Sequence, residues 1–374
     1  MGKQKEELEV KTRYPIGDPI KHFINRIGIS SKRFVDTQIP SAVQNLKSWA
    51  TSFRGGFILA FLIILILVPP LLNDPVYYDI FISAMIFSIL AASWDILAGV
   101  TGQVSFGHSA FFGIGGYCFA LFINGFGADF ITSILMSAIF TVLIGLIIAI
   151  PSLRLKGPYL ALGTLAFSLA LYYIFQFPEL HVENVYLPLS LKIFWLGDKM
   201  RAFFIVLIFM VVSIVILLII LNSRIGTVFK GIRDNEYATE ASGINTVKYK
   251  LISFMISSFF AGLAGSLYAL HNFAASFVMF ENKLSFFPVV FTILGGIATI
   301  SGAVMGAFTF VFLVQIIGEV FSAIFPIELM TYIDTFAIVA FAIILLLIIR
   351  FSEFGIFEPM IKNAKKLWDI LLGK

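Results

Sequence analysis

The sequence has a single cysteine, Cys118, and only 13% of its residues are Asp, Glu, Lys or Arg. One cysteine excludes an internal disulfide and a cysteine-rich metal cluster. The charged fraction is well below the roughly 25% of soluble domains, which argues against a soluble protein. The sequence also lacks a Walker phosphate loop, an HExxH motif and a GxSxG motif. It therefore predicts no catalytic site, metal site or cofactor, and any ATP would have to be bound by another polypeptide.

Apolar residues dominate what is present: 59% of the chain is hydrophobic, and 42 residues are phenylalanine. Several apolar runs approach the roughly twenty residues that a helix needs to cross a bilayer. We predict an all-α polytopic membrane protein with about eight to ten transmembrane helices. The candidate spans are 56–72, 77–98, 104–123, 131–150, 159–177, 202–222, 251–271, 286–299, 303–322 and 332–349. The run 286–299 is short, so a re-entrant segment is an open alternative to a full span there.

The basic residues favour one orientation of these spans. With the N-terminus inside, the cytoplasmic segments are 1–55, 99–103, 151–158, 223–250, 300–302 and 350–374. They contain all but four of the 26 Lys and Arg residues, the exceptions being Lys192, Lys199, Arg201 and Lys283. Cytoplasmic segments of membrane proteins are enriched in this way. We therefore predict a protein of the plasma (cell inner) membrane with both termini in the cytoplasm, and no nucleic-acid partner is needed to explain the charge.

Three regions follow from this topology: an N-terminal cytoplasmic extension at 1–55, a transmembrane domain at 56–350 and a cytoplasmic tail at 351–374. Inside the second region, residues 223–250 form a polar cytoplasmic loop. From Thr227 to Ser242 this loop has helical character, and Gly243 is suited to end a helix in the left-handed conformation. A charged helix between two spans suits docking to a soluble partner, and a solvated connection is the simpler alternative.

Small residues recur at a spacing of four in three stretches, which predicts closely packed helices. The stretches are Ser105, Ser109 and Gly113 (followed by Gly115 and Gly116), then Ser258, Gly262 and Ser266, and finally Ala298, Gly302 and Gly306. Glycine-rich regions lie on both sides of the 223–250 loop, so we also predict an inverted internal repeat. Asp95 and His108 flank the turn AGVTGQVSFG, where either hydrogen bonding that fixes the turn or contact with a substrate would explain them.

Five blocks of sequence occur in a recognisable order. They are LAGVTGQVSFGHSAFFGIGGY (97–117), GPYLALGTLAF (157–167), SRIGTVFKGIRDNEYATEASGINTVKYKL (223–251), FAGLAGSLYAL (260–270) and LGGIATISGAVMGAF (294–308). Together they resemble the permease subunits of branched-chain amino-acid ABC importers, and among these the M-type subunit most. The resemblance covers roughly residues 57 to 357.

This resemblance implies the ABC importer permease fold and the import of branched-chain amino acids. It further implies three kinds of partner: a second permease subunit (homologous or identical), two cytoplasmic ATPase subunits, and an extracytoplasmic solute-binding protein. The residues matching the ATPase-coupling segment are Gly231, Arg233, Asp234, Asn235, Glu236, Glu240, Ala241 and Gly243. Of these, Arg233 and Glu236 are expected to make charged contacts with the ATPase, into which Ile232 and Tyr237 would pack. By the same analogy the translocation pathway is lined by Thr101, Gly102, Gln103, Ser105, His108, Gly295 and Gly296.

One segment departs from the family pattern. The predicted external loop 177–198 lacks the Thr-Gly-Gly and Asp-Gly signature that many members carry, which leaves the docking surface and the cargo open. Urea or a short amide is the alternative cargo. An ion-coupled secondary amino-acid transporter is the alternative mechanism, and only Asp95 and His108 favour it. An integral-membrane enzyme is disfavoured because no catalytic constellation is present.

Overall fold

The computed structural model describes residues 53–72, 74–155, 157–177 and 184–324, together with positions 339, 342, 343, 346 and 350. The predicted tail, most of the N-terminal extension and nearly all of the span 332–349 lie outside these residues. The helices are α1 (Phe53–Leu72), α2 (Pro75–Asp95), α3 (His108–Phe126), α4 (Phe130–Ser152), α5 (Pro158–Gln176), α6 (Leu189–Leu196), α7 (Lys199–Leu221), α8 (Arg224–Asp234), α9 (Glu236–Ala241), α10 (Thr246–Asn272), α11 (Asn282–Gly295) and α12 (Ile300–Ile324). Two short strands are β1 (Asn184–Tyr186) and β2 (Ala274–Ser276).

Seven of the described helices are long and apolar enough to cross a membrane, namely α2, α3, α4, α5, α7, α10 and α12. Two shorter apolar helices are Ala60–Leu72, within α1, and α11. The prediction of an all-α polytopic membrane protein is therefore confirmed. Helix α11 has 14 residues, which makes it about 21 Å long, less than the roughly 30 Å of a hydrocarbon core. A full span and a re-entrant segment both stay open for this helix.

Several predicted span boundaries differ from the observed helices. The span predicted from residue 104 begins only at His108, because residues 101–107 are irregular. In α2 the α-helix ends at Asp95 and a π-helical segment, Ile96–Val100, continues it. Helix α10 begins at Thr246, five residues earlier than the predicted span at 251, because Asn245 caps it by accepting from Lys248 N at 3.0 Å.

Two central helices organise the bundle. Helix α2 packs on α7, α11 and α12, helix α10 packs on α3 and α4, and the two contact each other. Each of the hairpins α3–α4 and α11–α12 therefore packs on the central helix from the other half of the chain. This exchange is what an inverted internal repeat would produce, and the repeat itself stays a prediction.

The small-residue stretches lie where these helices approach most closely. A Cβ added at Gly265 of α10 would overlap the carbonyl of Phe112, and one at Gly115 of α3 would overlap the backbone of Gly262. Likewise, a Cβ at Gly306 of α12 would overlap the carbonyl of Phe291. In lipid, helices gain little from hydrophobic burial against each other, so close backbone packing supplies much of their attraction. Close packing is therefore confirmed at Gly115, Gly262 and Gly306, whereas Ser105 and Ala298 of the predicted stretches lie outside the helices.

The end of the bundle opposite α8 is closed by a small ordered layer. Strands β1 and β2 pair antiparallel, with Val185 opposite Ala275. Asn124 at the end of α3 donates from Nδ2 to the carbonyl of Tyr186 at 2.9 Å. Helix α6 follows β1 and buries Trp195. Part of the loop that departs from the family signature therefore forms a strand and a short helix.

Candidate functional site

The polar segment 223–250 forms two short helices, α8 and α9, where the sequence predicted helical character throughout Thr227 to Ser242. Ser223 caps α8 by accepting from Ile225 N at 3.2 Å. Asn235 leaves the helical conformation, ends α8 and caps α9 by accepting from Ala238 N at 3.0 Å. Asparagine favours such caps because its side chain replaces a missing backbone partner. Gly243 has φ +82°, which confirms its predicted left-handed conformation.

The α8 helix is amphipathic, and its apolar face is turned into the protein. Phe229 is fully buried, and Ile232 is 3% exposed. The expectation that Ile232 packs into a partner is therefore wrong, because its side chain is already covered by this chain. Tyr237 on α9, by contrast, is 73% exposed. Apolar residues spaced three apart on a helix lie on one face, which explains why Phe229 and Ile232 share the buried side.

One ion pair and one hydrogen bond attach this segment to the central helices. The carboxylate of Glu236 accepts from Lys250 Nζ of α10 at 2.6 Å. Arg233 pairs with its neighbour Asp234 at 3.0 Å and donates from Nη1 to the carbonyl of Gly99 at 3.3 Å. Arg233 and Glu236, which were predicted to contact a partner, therefore both make contacts within this chain. These contacts join α8 and α9 to the π-helical end of α2 and to the start of α10.

An open cavity of about 880 Å³ lies beside this segment. Its lining includes residues of α8 and α9, residues of the irregular segment after α2, and the start of α5. The first two groups are Arg233, Asp234, Asn235, Glu236 and Tyr237, and Thr101, Gly102, Gln103, Val104 and Phe106. The cavity brings together residues that the sequence assigned separately to coupling and to the pathway. The remaining predicted coupling residues Gly231, Glu240, Ala241 and Gly243 do not line it.

The irregular segment 101–107 is held in place by backbone hydrogen bonds. The amides of Gly102 and Gln103 donate to the carbonyls of Ala98 and Leu97, at 3.1 and 3.0 Å. Trp94 donates from Nε1 to the carbonyl of Ser105 at 2.7 Å. π-Helical turns occur frequently at functional sites. Irregular backbone at membrane depth needs such partners, because hydrocarbon supplies none.

The predicted pathway residues Ser105 and His108 are fully buried and do not line the cavity. His108 Nε2 lies 2.9 Å from Ser257 Oγ, and Ser257 donates to the carbonyl of Ser93 at 2.7 Å. Because the Ser257 proton is committed to Ser93, His108 Nε2 is the donor in the other bond. His108 thus fixes the start of α3 against α2 and α10. Of the two interpretations offered for it, the structure supports hydrogen bonding.

A hydroxyl cluster lies next to His108. Ser109 Oγ contacts Ser168 Oγ of α5 and donates to the carbonyl of Phe280 at 3.0 Å. Ser285 of α11 accepts from the Ser109 amide at 3.0 Å and lies 2.8 Å from its hydroxyl. From the sequence, Ser109 was expected only to be a small packing residue. The regular spacing of serines in apolar helices was the signal that could have revealed this cluster, since buried hydroxyls bond across helices in lipid.

The last two predicted pathway residues, Gly295 and Gly296, lie at the junction of α11 and α12. Gly295 is buried so tightly that an added Cβ would overlap the carbonyl of Gly302. Gly296 has φ +115° and begins the turn to α12. In that turn Ala298 N donates to Asp95 Oδ1 at 2.7 Å. The turn is therefore attached to the end of α2 and does not line the described cavity.

An ionic cluster at the opposite end of α2 was missed from the sequence. Asp79 accepts from Lys199 Nζ of α7 at 2.5 Å, and His271 Nε2 of α10 lies 3.9 Å from the same carboxylate. All three residues were placed near span ends on one face of the membrane. Opposite charges at the same predicted depth were the signal available, but sequence alone did not show which helices are neighbours.

A comparison with protein families decides what this arrangement belongs to. The family model described as the permease component of the branched-chain amino acid transport system matches residues 76–349. The chain belongs to this permease family. The match includes α8, α9, the 101–107 segment and the turn between α11 and α12.

Two curated relatives are similar to this chain over more than half of its length. The high-affinity branched-chain amino acid transport system permease protein LivM of Salmonella typhimurium is 25% identical over 67% of this chain and 65% of its own length. The protein of the same name from Escherichia coli is 26% identical over 61% of this chain and 60% of its own length. The chain therefore spans less than two thirds of either relative. No solved structure matches this chain.

Proposed function

We propose that this chain is the membrane-spanning permease subunit of an ATP-driven importer of branched-chain amino acids. It moves solute by alternating access and carries out no chemistry itself. One observation carries the proposal: the charged α8–α9 segment and the 101–106 segment border the same cavity. A partner that moved α8 and α9 would therefore act directly on the irregular segment 101–107, which lies between the spans. The names of the matched relatives support the cargo.

In this proposal α8 and α9 lie in the cytoplasm, as do both termini, while β1, β2 and α6 face outward. The distribution of Lys and Arg supports that orientation. In a Cys118→Ser background, an impermeant thiol reagent added to intact cells should label Lys192→Cys and leave Glu240→Cys unlabelled. Labelling of Glu240→Cys from outside would reverse the orientation and remove the proposed coupling contact.

The partners are a second permease subunit, identical or homologous, two ATPase subunits below α8 and α9, and a solute-binding protein at the opposite face. The exposed residues of α9 form the proposed ATPase contact. Tyr237 and Glu240 point away from this chain's core, whereas the carboxylate of Glu236 is held by Lys250. We therefore place the main contact on Tyr237 and Glu240, with Arg233 and Asp234 at its edge.

The test is uptake by the co-purified complex in liposomes. Radiolabelled leucine should enter only with ATP on the α8–α9 side, and the chain alone should neither bind nor hydrolyse ATP. Tyr237→Ala combined with Glu240→Ala should lower uptake at least tenfold without changing thermal stability, because both side chains are exposed. Val247→Ala, an exposed change at the start of α10, is the matched control and should transport normally.

Three results would contradict the proposal. The complex would contain no nucleotide-binding subunit, or uptake would ignore ATP and follow an ion gradient, or the double variant would transport like the unmodified protein. Excess unlabelled urea and acetamide, added as competitors, separate the alternative cargoes: they should leave leucine uptake unchanged.

A further inference from the structure

The last turns of α2 contain a buried carboxylate whose two oxygens are used differently. Asp95 is fully buried. Its Oδ1 accepts from the backbone amide of Ala298, 203 positions away, at 2.7 Å. Its Oδ2 has no hydrogen-bond partner in the described part of the chain. A buried carboxylate oxygen without a partner is costly, so a residue kept in this state calls for an explanation.

The amide that Asp95 binds belongs to a strained turn. Ala298 has φ +63°, a left-handed conformation that is uncommon for a residue with a Cβ. Thr299 supports the turn by donating from Oγ1 to the carbonyl of Gly296 at 2.6 Å. Strained backbone persists only where neighbouring groups fix it. Asp95 is the group from another helix that fixes this turn.

Gly99 connects the same carboxylate to α8. An added Cβ at Gly99 would overlap Asp95 Oδ1 and would lie 2.7 Å from the Ala298 amide, so this backbone lies directly on both. The carbonyl of Gly99 accepts from Arg233 Nη1 of α8 at 3.3 Å. Gly99 and Asp95 therefore connect Arg233 to the turn between α11 and α12.

We propose that Asp95 is a positioning residue that transmits movement of α8 to the α11–α12 turn. This inference rests on the proposed function, because it needs a partner that moves α8. When α8 shifts, the Arg233 bond to Gly99 carries the π-helical end of α2 with it, and Asp95 carries the Ala298 turn. The uncommitted Oδ2 gives the guanidinium a second acceptor at this site, since arginine can bind a carboxylate through more than one nitrogen.

The experiment follows both ends of this connection in the complete complex. In a Cys118→Ser background, an environment-sensitive fluorophore is placed at Ser242→Cys beside α9 or at Ile297→Cys in the turn; both positions are exposed. In the unmodified protein, ATP should change both signals. In Asp95→Ala, ATP should still change the Ser242 signal, the Ile297 response should fall at least fivefold, and leucine uptake per ATP hydrolysed should fall about tenfold.

Further variants separate transmission from simple damage. Asp95→Asn keeps an oxygen that can accept from Ala298 but loses the charge, so it keeps the fold testable if Asp95→Ala does not assemble. It should lower uptake per ATP about threefold. Ser93→Ala removes a fully buried hydroxyl that donates to the carbonyl of Leu90 in the same helix, and it should leave the ratio of the two signals unchanged.

The outcomes distinguish the two proposals. If ATP changes neither signal in the unmodified protein, the proposed function fails and this inference fails with it. If ATP changes the Ser242 signal, and the Ile297 signal responds equally in the Asp95 variants and the unmodified protein, the proposed function stands and the role of Asp95 is wrong. An equal fall in both responses would also overturn it, because that result indicates general damage.

Discussion

The two ends of α2 are each attached to other helices by an aspartate, but in opposite surroundings. Asp79 has a side chain that is 42% exposed and pairs with Lys199 of α7. Asp95 is fully buried and binds a backbone amide. The Lys199 side chain is 20% exposed, so this ion pair is partly open to water, which screens it and lets it rearrange. A buried carboxylate tolerates little, since any displacement leaves a polar group without a partner. Displacing the end of α2 near α8 is therefore expected to cost more stability than displacing the other end.

The largest expected effect comes from adding a side chain at Gly99, where Asp95 and the Ala298 turn already pack. Gly99→Leu places a side chain where Asp95 Oδ1 already lies, so we expect a loss of about 3 kcal/mol of stability, or no folded protein. Thermal unfolding can be followed by labelling of the partly buried Cys118 with a thiol-reactive dye.

The control for that change lies in α3, toward the end of the bundle where Asp79 is found. Gly125→Ala meets no heavy atom of the described residues within 4 Å. It should keep or slightly raise the unfolding temperature, since alanine favours helices over glycine. If Gly99→Leu unfolded at the same temperature as Gly125→Ala, the tight packing at this end of α2 would be disproved.

A smaller effect is expected at the Ser257 hydroxyl, which joins α10 to α2 and α3. Ser257→Ala removes the partner of His108 Nε2 and of the Ser93 carbonyl. Because both groups are buried, we expect a loss of about 1 kcal/mol. Ser242→Ala removes a hydroxyl that bonds Ala238 on an exposed surface and should change stability by less than about 0.5 kcal/mol. Equal melting temperatures for the two variants would contradict the importance assigned to burial.

The contrast between the ends of α2 also shows what the sequence could predict. Apolar run length located seven of the ten predicted spans among the described residues, because a bilayer imposes a minimum helix length. Local chemistry located the end of α9 at Gly243, whose positive φ needs no distant contact. Both signals lie within a few residues of the feature they predict, and both were confirmed.

What the sequence did not predict depends on distant neighbours. Asp95 was expected to fix its own turn, yet it binds Ala298, 203 residues away. Glu236 and Ile232 were both expected to contact a partner, but Lys250 and the buried face of α8 already engage them. In each case the residue type indicated a polar or apolar contact correctly. The identity of the contact was set by helix packing, which one sequence does not reveal.

The smallest expected effect is at the exposed end of α2, and it tests the comparison most closely. A double-mutant cycle of Asp79→Asn and Lys199→Met should give a coupling of about 0.2–1 kcal/mol, as for other exposed pairs. It should weaken between low salt and about 1 M salt, where screening acts within about 3 Å. His271, 3.9 Å from the same carboxylate, gives Asp79 a second neighbour when Lys199 is replaced, which further lowers the measured coupling.

A salt-independent coupling above about 2 kcal/mol would mean that this pair acts as a buried one. Displacement would then be equally costly at both ends of α2, and the difference in exposure between Asp79 and Asp95 would not distinguish them.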